Sequence, residues 1–325
     1  MREINEAAGS RKEKVLVIGA SGFVGGHLLR FLSSDPDLDL YATGNQKEIP
    51  DLPAVTMMRL DILSAADTEN AMRTVRPDTV ILLAAQSSVA LSFQEPELTM
   101  NINVIGSLHV MEAVRSVCPE STLLLTGSSE EYGPVTEDMM PIRETARLDP
   151  KSPYAISKAA SEQMAMLYAR SYGLKFIMVR AFNHIGPGQS SQFVVSDFAK
   201  QIAAIEKGLS EPVLYVGNLS AARDFTDVRD IVRGYRLLTE HGRPGEVYNI
   251  GTGKSVSVRH VLDLLLGASE VPIEVSVDTA KYRPVDIPDI RADIRKIYSD
   301  TKWHPRIPVE TSIRDSLEYW RQKIG

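Results

Sequence analysis

A tyrosine and a lysine four residues apart on a helix lie on one face, where the ammonium favours the phenolate and makes the phenol a better proton donor. Such a donor is what a ketone needs when incoming hydride turns it into an alkoxide. The spacing occurs three times, at Tyr154 and Lys158, Tyr298 and Lys302, and Tyr319 and Lys323. Position separates them. Tyr154 follows Ser152-Pro153, which opens a helix between two apolar runs. Ser128 closes the preceding run in Thr126-Gly127-Ser128-Ser129, where its hydroxyl can face the same carbonyl oxygen. The other two pairs sit among polar C-terminal residues with no such serine nearby and read as solvated helix faces.

The hydride needs a carrier, and a glycine loop offers a place for one. Gly19-Ala20-Ser21-Gly22-Phe23-Val24-Gly25, with a further glycine at Gly26, follows the apolar run Lys14 to Ile18 and precedes a helical pattern. Backbone N–H groups at a helix start can meet a pyrophosphate there, and a Cβ would hold it off. The GxxGxxG spacing departs from the strict GxGxxG and resembles that of the short-chain dehydrogenase/reductase superfamily. In NAD-binding versions an acidic residue about 20 positions on binds the ribose 2'-hydroxyl. Here that stretch reads Thr43-Gly44-Asn45-Gln46-Lys47, with no carboxylate to repel a 2'-phosphate and Lys47 to attract one. NADPH is the expected cofactor; Asn45 suits a bare ribose and leaves NADH open.

These residues need a scaffold. The run Lys14 to Ile18 is short, rich in β-branched residues and stopped by glycine, the mark of a fully buried parallel strand. A helix from Phe23 to Ser33 should follow. Further strands are expected over Leu40 to Thr43, Val55 to Leu60, Thr79 to Ala84, Leu123 to Thr126 and Phe176 to Val179, with helices near 64–75, 98–117 and 153–172. Alternation of this kind predicts an α/β fold with a doubly wound parallel sheet, the Rossmann arrangement, whose ligands bind beyond the carboxyl ends of the strands. After about residue 183 the rhythm loosens into the loop Asn183 to Ser191, a helix to about Lys207, short strands near Val213 and Tyr248, and proline-rich turns. A dinucleotide-binding domain over 13–182 and 226–251, interleaved with a smaller substrate domain over 183–225 and 252–325, is the expected division. The chain ends are expected to be loose by their charge and polarity.

Composition removes other classes. The 325 residues carry 36 basic and 42 acidic side chains, a net charge of -6, with no basic footprint for nucleic acid. The single cysteine, Cys118, excludes a disulfide framework and a CxxC metal site, and no metal is expected. No apolar run reaches the roughly 20 residues of a membrane span, and residues 1–13 lack the apolar core of a signal peptide. A cytoplasmic protein with no membrane partner is expected.

The resemblance sharpens at Gly127-Ser128-Ser129-Glu130-Glu131-Tyr132-Gly133, at Phe182-Asn183-His184-Ile185-Gly186-Pro187-Gly188-Gln189, at Val216-Gly217-Asn218, at Ala222-Arg223-Asp224-Phe225-Thr226-Asp227-Val228 and at Arg283-Pro284-Val285-Asp286. As a set, over roughly residues 14–322, these are similar to the extended nucleotide-sugar enzymes of that superfamily, and most of all to the GDP-6-deoxy-4-keto-D-mannose reductases. The resemblance implies reduction at C4 of a GDP-linked 4-keto-6-deoxy sugar to GDP-D-rhamnose, with Ser128, Tyr154 and Lys158 at the chemistry. It places Asp61 and Ile62 at adenine, Ala84, Ala85, Gln86 and Ala181 along the cofactor, and Asn103 against the active-site helix. It gives the sugar nucleotide to Ser88, Ser129, Asn183, Lys200, Val216, Asn218, Arg223, Arg283 and Asp286. Arginine suits diphosphate because its fork bonds two oxygens at once.

Other readings stay open. Glu130 occupies the glutamate position of the GDP-mannose 4,6-dehydratases, so dehydration is possible, although the segment after His184 lacks their Arg-Arg-Gly-Glu run. Epimerisation is disfavoured, because Cys118 lies away from the site and Gly188 stands where a histidine is expected. Another nucleotide's 4-keto sugar, or a non-catalytic NADP sensor, would be alternatives, the last having no need of Tyr154, Lys158 and Ser128. Apolar residues on several faces of the helices near 98–117 and 153–172 predict a homodimer, with a tetramer possible.

Overall fold

The computed structural model describes residues 11–44, 52–281 and 289–324. Asn45, Lys47, Arg283 and Asp286 lie outside the described residues.

Seven parallel strands form the central sheet: β1 (Glu13–Ile18), β2 (Leu38–Gly44), β3 (Val55–Arg59), β4 (Thr79–Leu82), β5 (Thr122–Ser128), β6 (Lys175–Ala181) and β11 (Val247–Ile250). Their order is β11-β6-β5-β4-β1-β2-β3. The chain therefore winds outward from β1 through β2 and β3, then crosses back to β4 on the other side. That reversal opens a crevice between β1 and β4 at the carboxyl edge. One face of the sheet is covered by α1 (Phe23–Leu32) and α8 (Val228–His241), the other by α2 (Ala65–Val75), α5 (Ser107–Val117) and α6 (Pro153–Tyr172). Ile297 of α10 (Arg295–Thr301) and Trp303 pack into the α1/α8 core.

The later chain builds a separate core in which α7 (Val194–Glu206), α9 (Val258–Gly267) and α11 (Val309–Ile324) pack with β8 (Val213–Val216). Short pairs frame it: β7 (Asn183–Ile185) with β10 (Phe225–Asp227), β9 (Ala222–Arg223) with β12 (Val256–Ser257), and β13 (Glu274–Val277) with β8. The C-terminal segment is ordered as α11, which corrects the expectation of a loose tail. Ile313 and Leu317 are four apart and buried, Trp320 Nε1 donates to Ser196 Oγ at 2.8 Å, and Arg321 bonds Glu206. The segment's polar composition hides this apolar stripe unless its period is read.

The expected helix over 98–117 is also different. It consists of α4 (Pro96–Met100), a π-helical turn over Asn101–Gly106, and α5; a short α3 (Val89–Gln94) precedes it. The wide turn carries Asn103 inward to a buried position, where Nδ2 donates to the Gln86 carbonyl and to Ser157 Oγ of α6. Insertions of this kind tend to serve a site. Gly106 makes it possible, because its Cα faces the Ile62 side chain, 3.0 Å from where a Cβ would stand.

Asp224 ties the two cores together. Its buried carboxylate accepts from Thr252 N at 2.7 Å, Gly253 N at 2.9 Å and Ala292 N at 3.0 Å. Asp224→Ala strands three backbone donors at roughly 1–3 kcal/mol each. A loss of about 3 kcal/mol or more, read as a lower urea midpoint, is the expected result, and Asp224→Asn should lose less.

Candidate functional site

The crevice at the reversal is a cavity of about 750 Å³. Its floor comes from the glycine loop and the ends of β4, β5 and β6, and its far wall comes from the α7/α9 core through residues such as Gln189, Phe193, Asn218 and Arg223.

The glycine loop is shaped by contacts that forbid side chains. Gly19 has φ +89, and a Cβ on it would overlap the backbone of Ala84. At Gly25 a Cβ would lie 2.5 Å from Ala20 Cα, so α1 presses against the strand end. Gly22, by contrast, has only Gly19 O near, at 3.4 Å, and faces the cavity. No side chain caps the start of α1. Its first N–H groups are therefore left to a ligand, and with the helix dipole they suit a pyrophosphate. The loop thus fits a dinucleotide on the structure's own terms.

Helix α6 brings the second part. Ser152 caps it by accepting from Ala155 N at 3.1 Å, Pro153 occupies the first turn, and Gly173 closes it at φ 66. Tyr154 and Lys158 stand on its inner face at 8% and 7% exposure, both lining the cavity. Ser128, at the end of β5, lines the same cavity. Burial raises the Tyr154 pKa, Glu130 and Glu131 raise it further, and the Ser128 hydroxyl works the other way. Lys158 Nζ donates to the Thr126 carbonyl at 2.8 Å, and burial brings its pKa down to about 8 against the pull of Glu131. A phenol, a hydroxyl and an ammonium therefore converge, and together they can deliver one proton to an oxygen placed in the cavity. The other two tyrosine–lysine pairs are surface features: Lys323 Nζ donates to its own Tyr319 hydroxyl at 3.0 Å, and Tyr298 is 51% exposed.

Of the residues singled out in sequence, Gly19, Gly22, Phe23, Val24, Gly25, Ala85, Ser88, Ser128, Ser129, Glu130, Tyr154, Lys158, Ala181, Asn183, Asn218 and Arg223 line this cavity. Others do not. Lys200 is exposed on α7 with Nζ 5.5 Å from the Trp320 ring centre, because Ala199 and Ala203 turn the other face inward. Val216 is fully buried in the α7/α9 core. Asp61 caps the Leu63 N–H after β3, while Ile62 packs on Gly106. Ser21 and Ala84 lie beside the cavity, in the glycine loop and against it. Gln86 and Asn103 act behind the wall: the Gln86 N–H donates to Asn103 Oδ1 at 2.8 Å, and Asn103 holds Ser157 in turn.

His184, which the sequence offered as a loop-orienting or proton-moving histidine, lies in the cavity wall with its ring stacked 6.1 Å from Phe23, and burial lowers its pKa. One feature went unread. Beneath the catalytic-type residues is a buried charge cluster of Glu131, Glu162 and Arg180. A sequence signal for it existed, since an arginine inside the apolar strand Phe176-Ile177-Met178-Val179-Arg180 demands a buried partner.

Comparison with known proteins agrees with this geometry. The sequence pattern of the family described as GDP-mannose 4,6 dehydratase matches residues 16–316. A GDP-6-deoxy-D-mannose reductase from Pseudomonas aeruginosa is 33% identical over 312 residues, covering 96% of this chain and 98% of that protein. A GDP-mannose 4,6-dehydratase from Yersinia enterocolitica is 31% identical, covering 75% of this chain and 74% of its own. Among solved structures, RMD from Pseudomonas aeruginosa complexed with NADPH superposes with a TM-score of 0.85 at 32% identity, over 96% of this chain and 100% of the other. The UDP-glucose 4-epimerase of Thermus thermophilus in complex with NAD gives 0.84 at 31% identity, over 95% and 99%. With the glycine loop, the buried tyrosine and lysine and the reversed sheet order already in place, these matches make the chain a member of the GDP-mannose 4,6 dehydratase family, within the extended short-chain dehydrogenase/reductases.

Proposed function

We propose that this protein reduces the C4 keto group of GDP-6-deoxy-4-keto-D-mannose, giving GDP-D-rhamnose, with NADPH as the preferred cofactor and NADH as the alternative. The observation that carries the reading is the convergence of Ser128, Tyr154 and Lys158 in one cavity that also holds the open start of α1. The near full-length reductase relative supports the substrate class, and the structure of RMD complexed with NADPH supports the cofactor.

When bound, the reduced nicotinamide supplies the hydride. The chain does the rest. Gly19, Gly22 and the first turn of α1 would hold the pyrophosphate. Asn183, Asn218 and Arg223, which line the wall opposite α6, would hold the sugar nucleotide. Ser128 and Tyr154 bond the C4 oxygen, and Tyr154 releases its proton to that oxygen as negative charge develops there. The charged Lys158 lowers the cost of the phenolate left behind.

A second reading has its own support. Glu130 lines the cavity beside Tyr154 and occupies the glutamate position of the dehydratases, which suits it to act as the base in a 4,6-dehydration. Supplying GDP-mannose and GDP-6-deoxy-4-keto-D-mannose separately, and identifying products by NMR, tells the two activities apart.

The apolar side chains left exposed on the α3 to α6 side, Phe93, Leu98, Ile105, Ile156, Leu167 and Tyr172, support a homodimer formed through these helices, with a tetramer as its possible extension. Light scattering at micromolar concentration should give twice the chain mass; a monomer would refute this.

Tyr154→Phe keeps the ring and removes the donor. Turnover should fall by about 100-fold or more while NADPH binding, followed by fluorescence, persists. Near-normal turnover would sink the mechanism. In the unmodified protein kcat/KM should decline as pH rises through about 8, where Lys158 loses its proton. A flat profile from pH 7 to 9.5 would contradict the role given to Lys158.

A further inference from the structure

Directly beneath Ser128 and Lys158 lies a carboxylate that the mechanism above does not use. Glu131 is 0% exposed and follows Glu130 on the 3-10 turn Ser129–Tyr132 that closes β5. Its Oε1 accepts the Ser128 backbone N–H at 2.7 Å and sits so close to Gly127 that a Cβ there would be 2.5 Å away. Its Oε2 is buried and has no hydrogen-bond partner among the described residues. A buried ionised carboxylate is unfavourable unless a cation balances it.

Among the described residues, two cations act on Glu131. Arg180 of β6 approaches Glu131 with Nε only to 3.8 Å. Its guanidinium is committed elsewhere: Nε and Nη2 bond Glu162 of α6 at 2.9 and 2.6 Å, and Nη1 bonds the Tyr132 hydroxyl and the Glu144 carbonyl. The other is Lys158. Its ammonium rests on the Thr126 carbonyl at 2.8 Å, one residue from the Gly127 backbone that Glu131 touches. Counting the cluster gives Glu131 and Glu162 against Arg180 and Lys158, so with Glu162 and Arg180 paired, Glu131 and Lys158 balance only when both are charged or both are neutral. The charged and titratable groups acting on Glu131 are therefore Arg180 from β6 and Glu162, Lys158 and Tyr154 from α6.

We propose that Glu131 is a positioning residue for the proton donor: its buried carboxylate is the counter-charge that keeps the Lys158 ammonium protonated beneath Tyr154, while its other oxygen fixes the Ser128 backbone. The role rests on the reductase reading only for its consequence in catalysis. The pairing itself is a property of the ligand-free protein. The direction of the linked shifts agrees: Glu131 is raised chiefly by burial and by Glu162, Lys158 is lowered by burial, and each opposes the other's shift. Such neighbours titrate as a pair.

The test uses Glu131→Gln, which keeps an oxygen to accept from Ser128 and removes the charge. In the ligand-free protein labelled with 13C at lysine Cε, the Lys158 titration midpoint should move from about pH 8 toward pH 7 or below. The alkaline limb of kcat/KM should move with it, so that the activity ratio between pH 8 and pH 6.5 drops by about fourfold or more. An unmoved Lys158 midpoint, or a loss of activity equal at every pH, overturns the proposal. Should the variant fail to fold, the unmodified protein decides: the Glu131 carboxyl carbon must respond as Lys158 titrates, and no response overturns the proposal equally. Neither NMR readout needs substrate or cofactor. A moved midpoint in a protein that reduces nothing would leave this pairing standing and remove the functional reading.

Discussion

Arg180 is the constraint around which the site is arranged. The Arg180 guanidinium, near the carboxyl end of an inner parallel strand between Val179 and Ala181, is only 4% exposed. It can stay there only if carboxylates come to it. Glu162 does so with two hydrogen bonds, and Glu162 is four residues beyond Lys158 and eight beyond Tyr154 on the same helix. Residues four apart lie on one helical face. Fixing Glu162 against β6 therefore fixes how α6 is rotated, and that rotation points Tyr154 and Lys158 at the end of β5. A shift of α6 by one residue would turn both away from the cavity and strand the arginine, so the ion pair and the catalytic-type geometry stand or fall together.

The second constraint lies where the two cores meet. The loop over 184–189 is held from three sides: His27 Nε2 of α1 bonds the Pro187 carbonyl at 2.8 Å, Gln189 Nε2 donates to the His184 carbonyl at 2.8 Å, and Ser196 Oγ of α7 donates to the Gln189 carbonyl at 2.6 Å. Trp320 of α11 then donates to Ser196. The glycine-loop helix and the C-terminal helix are thus joined through one loop that itself lines the cavity. Burial lowers the His27 pKa, so near neutral pH the ring is uncharged and bonds through a single N–H.

Much of this was legible in the sequence because local chemistry and global fold agree. The glycine loop, the capped start of α6 and the short apolar strands each carry a signal that needs no partner to be read. The strand boundaries at Thr122–Ser128 and Lys175–Ala181 run longer than their apolar cores, because the ladder continues through Thr126 to Ser128 and through Arg180. What sequence could not give was phase and depth. Lys200 and Val216 sit in motif-bearing segments but face away from the cavity, since helix rotation and strand register are set by packing. The π-helical turn around Asn103 was unreadable for a related reason, as Ile62, distant in sequence, packs close against Gly106 within it.

Glu130 and Glu131 show how a single turn assigns two roles to one residue type. They are adjacent in sequence and on a 3-10 turn point about 120° apart. Glu130 lines the cavity, and Glu131 is wholly enclosed. The turn is held in this orientation from both ends. Ser128 Oγ accepts from Glu130 N at 3.2 Å while Glu131 reaches back to Ser128 N. At the far end Gly133, at φ +66, lets the chain pass against Asp149, whose N–H donates to the Glu131 carbonyl at 3.1 Å. Environment rather than residue type separates an acid exposed to ligand from one that can answer only to internal charge. A neighbouring carboxylate that faced the cavity instead would double the negative charge presented to a sugar diphosphate, so burying Glu131 also protects the anion site from repulsion.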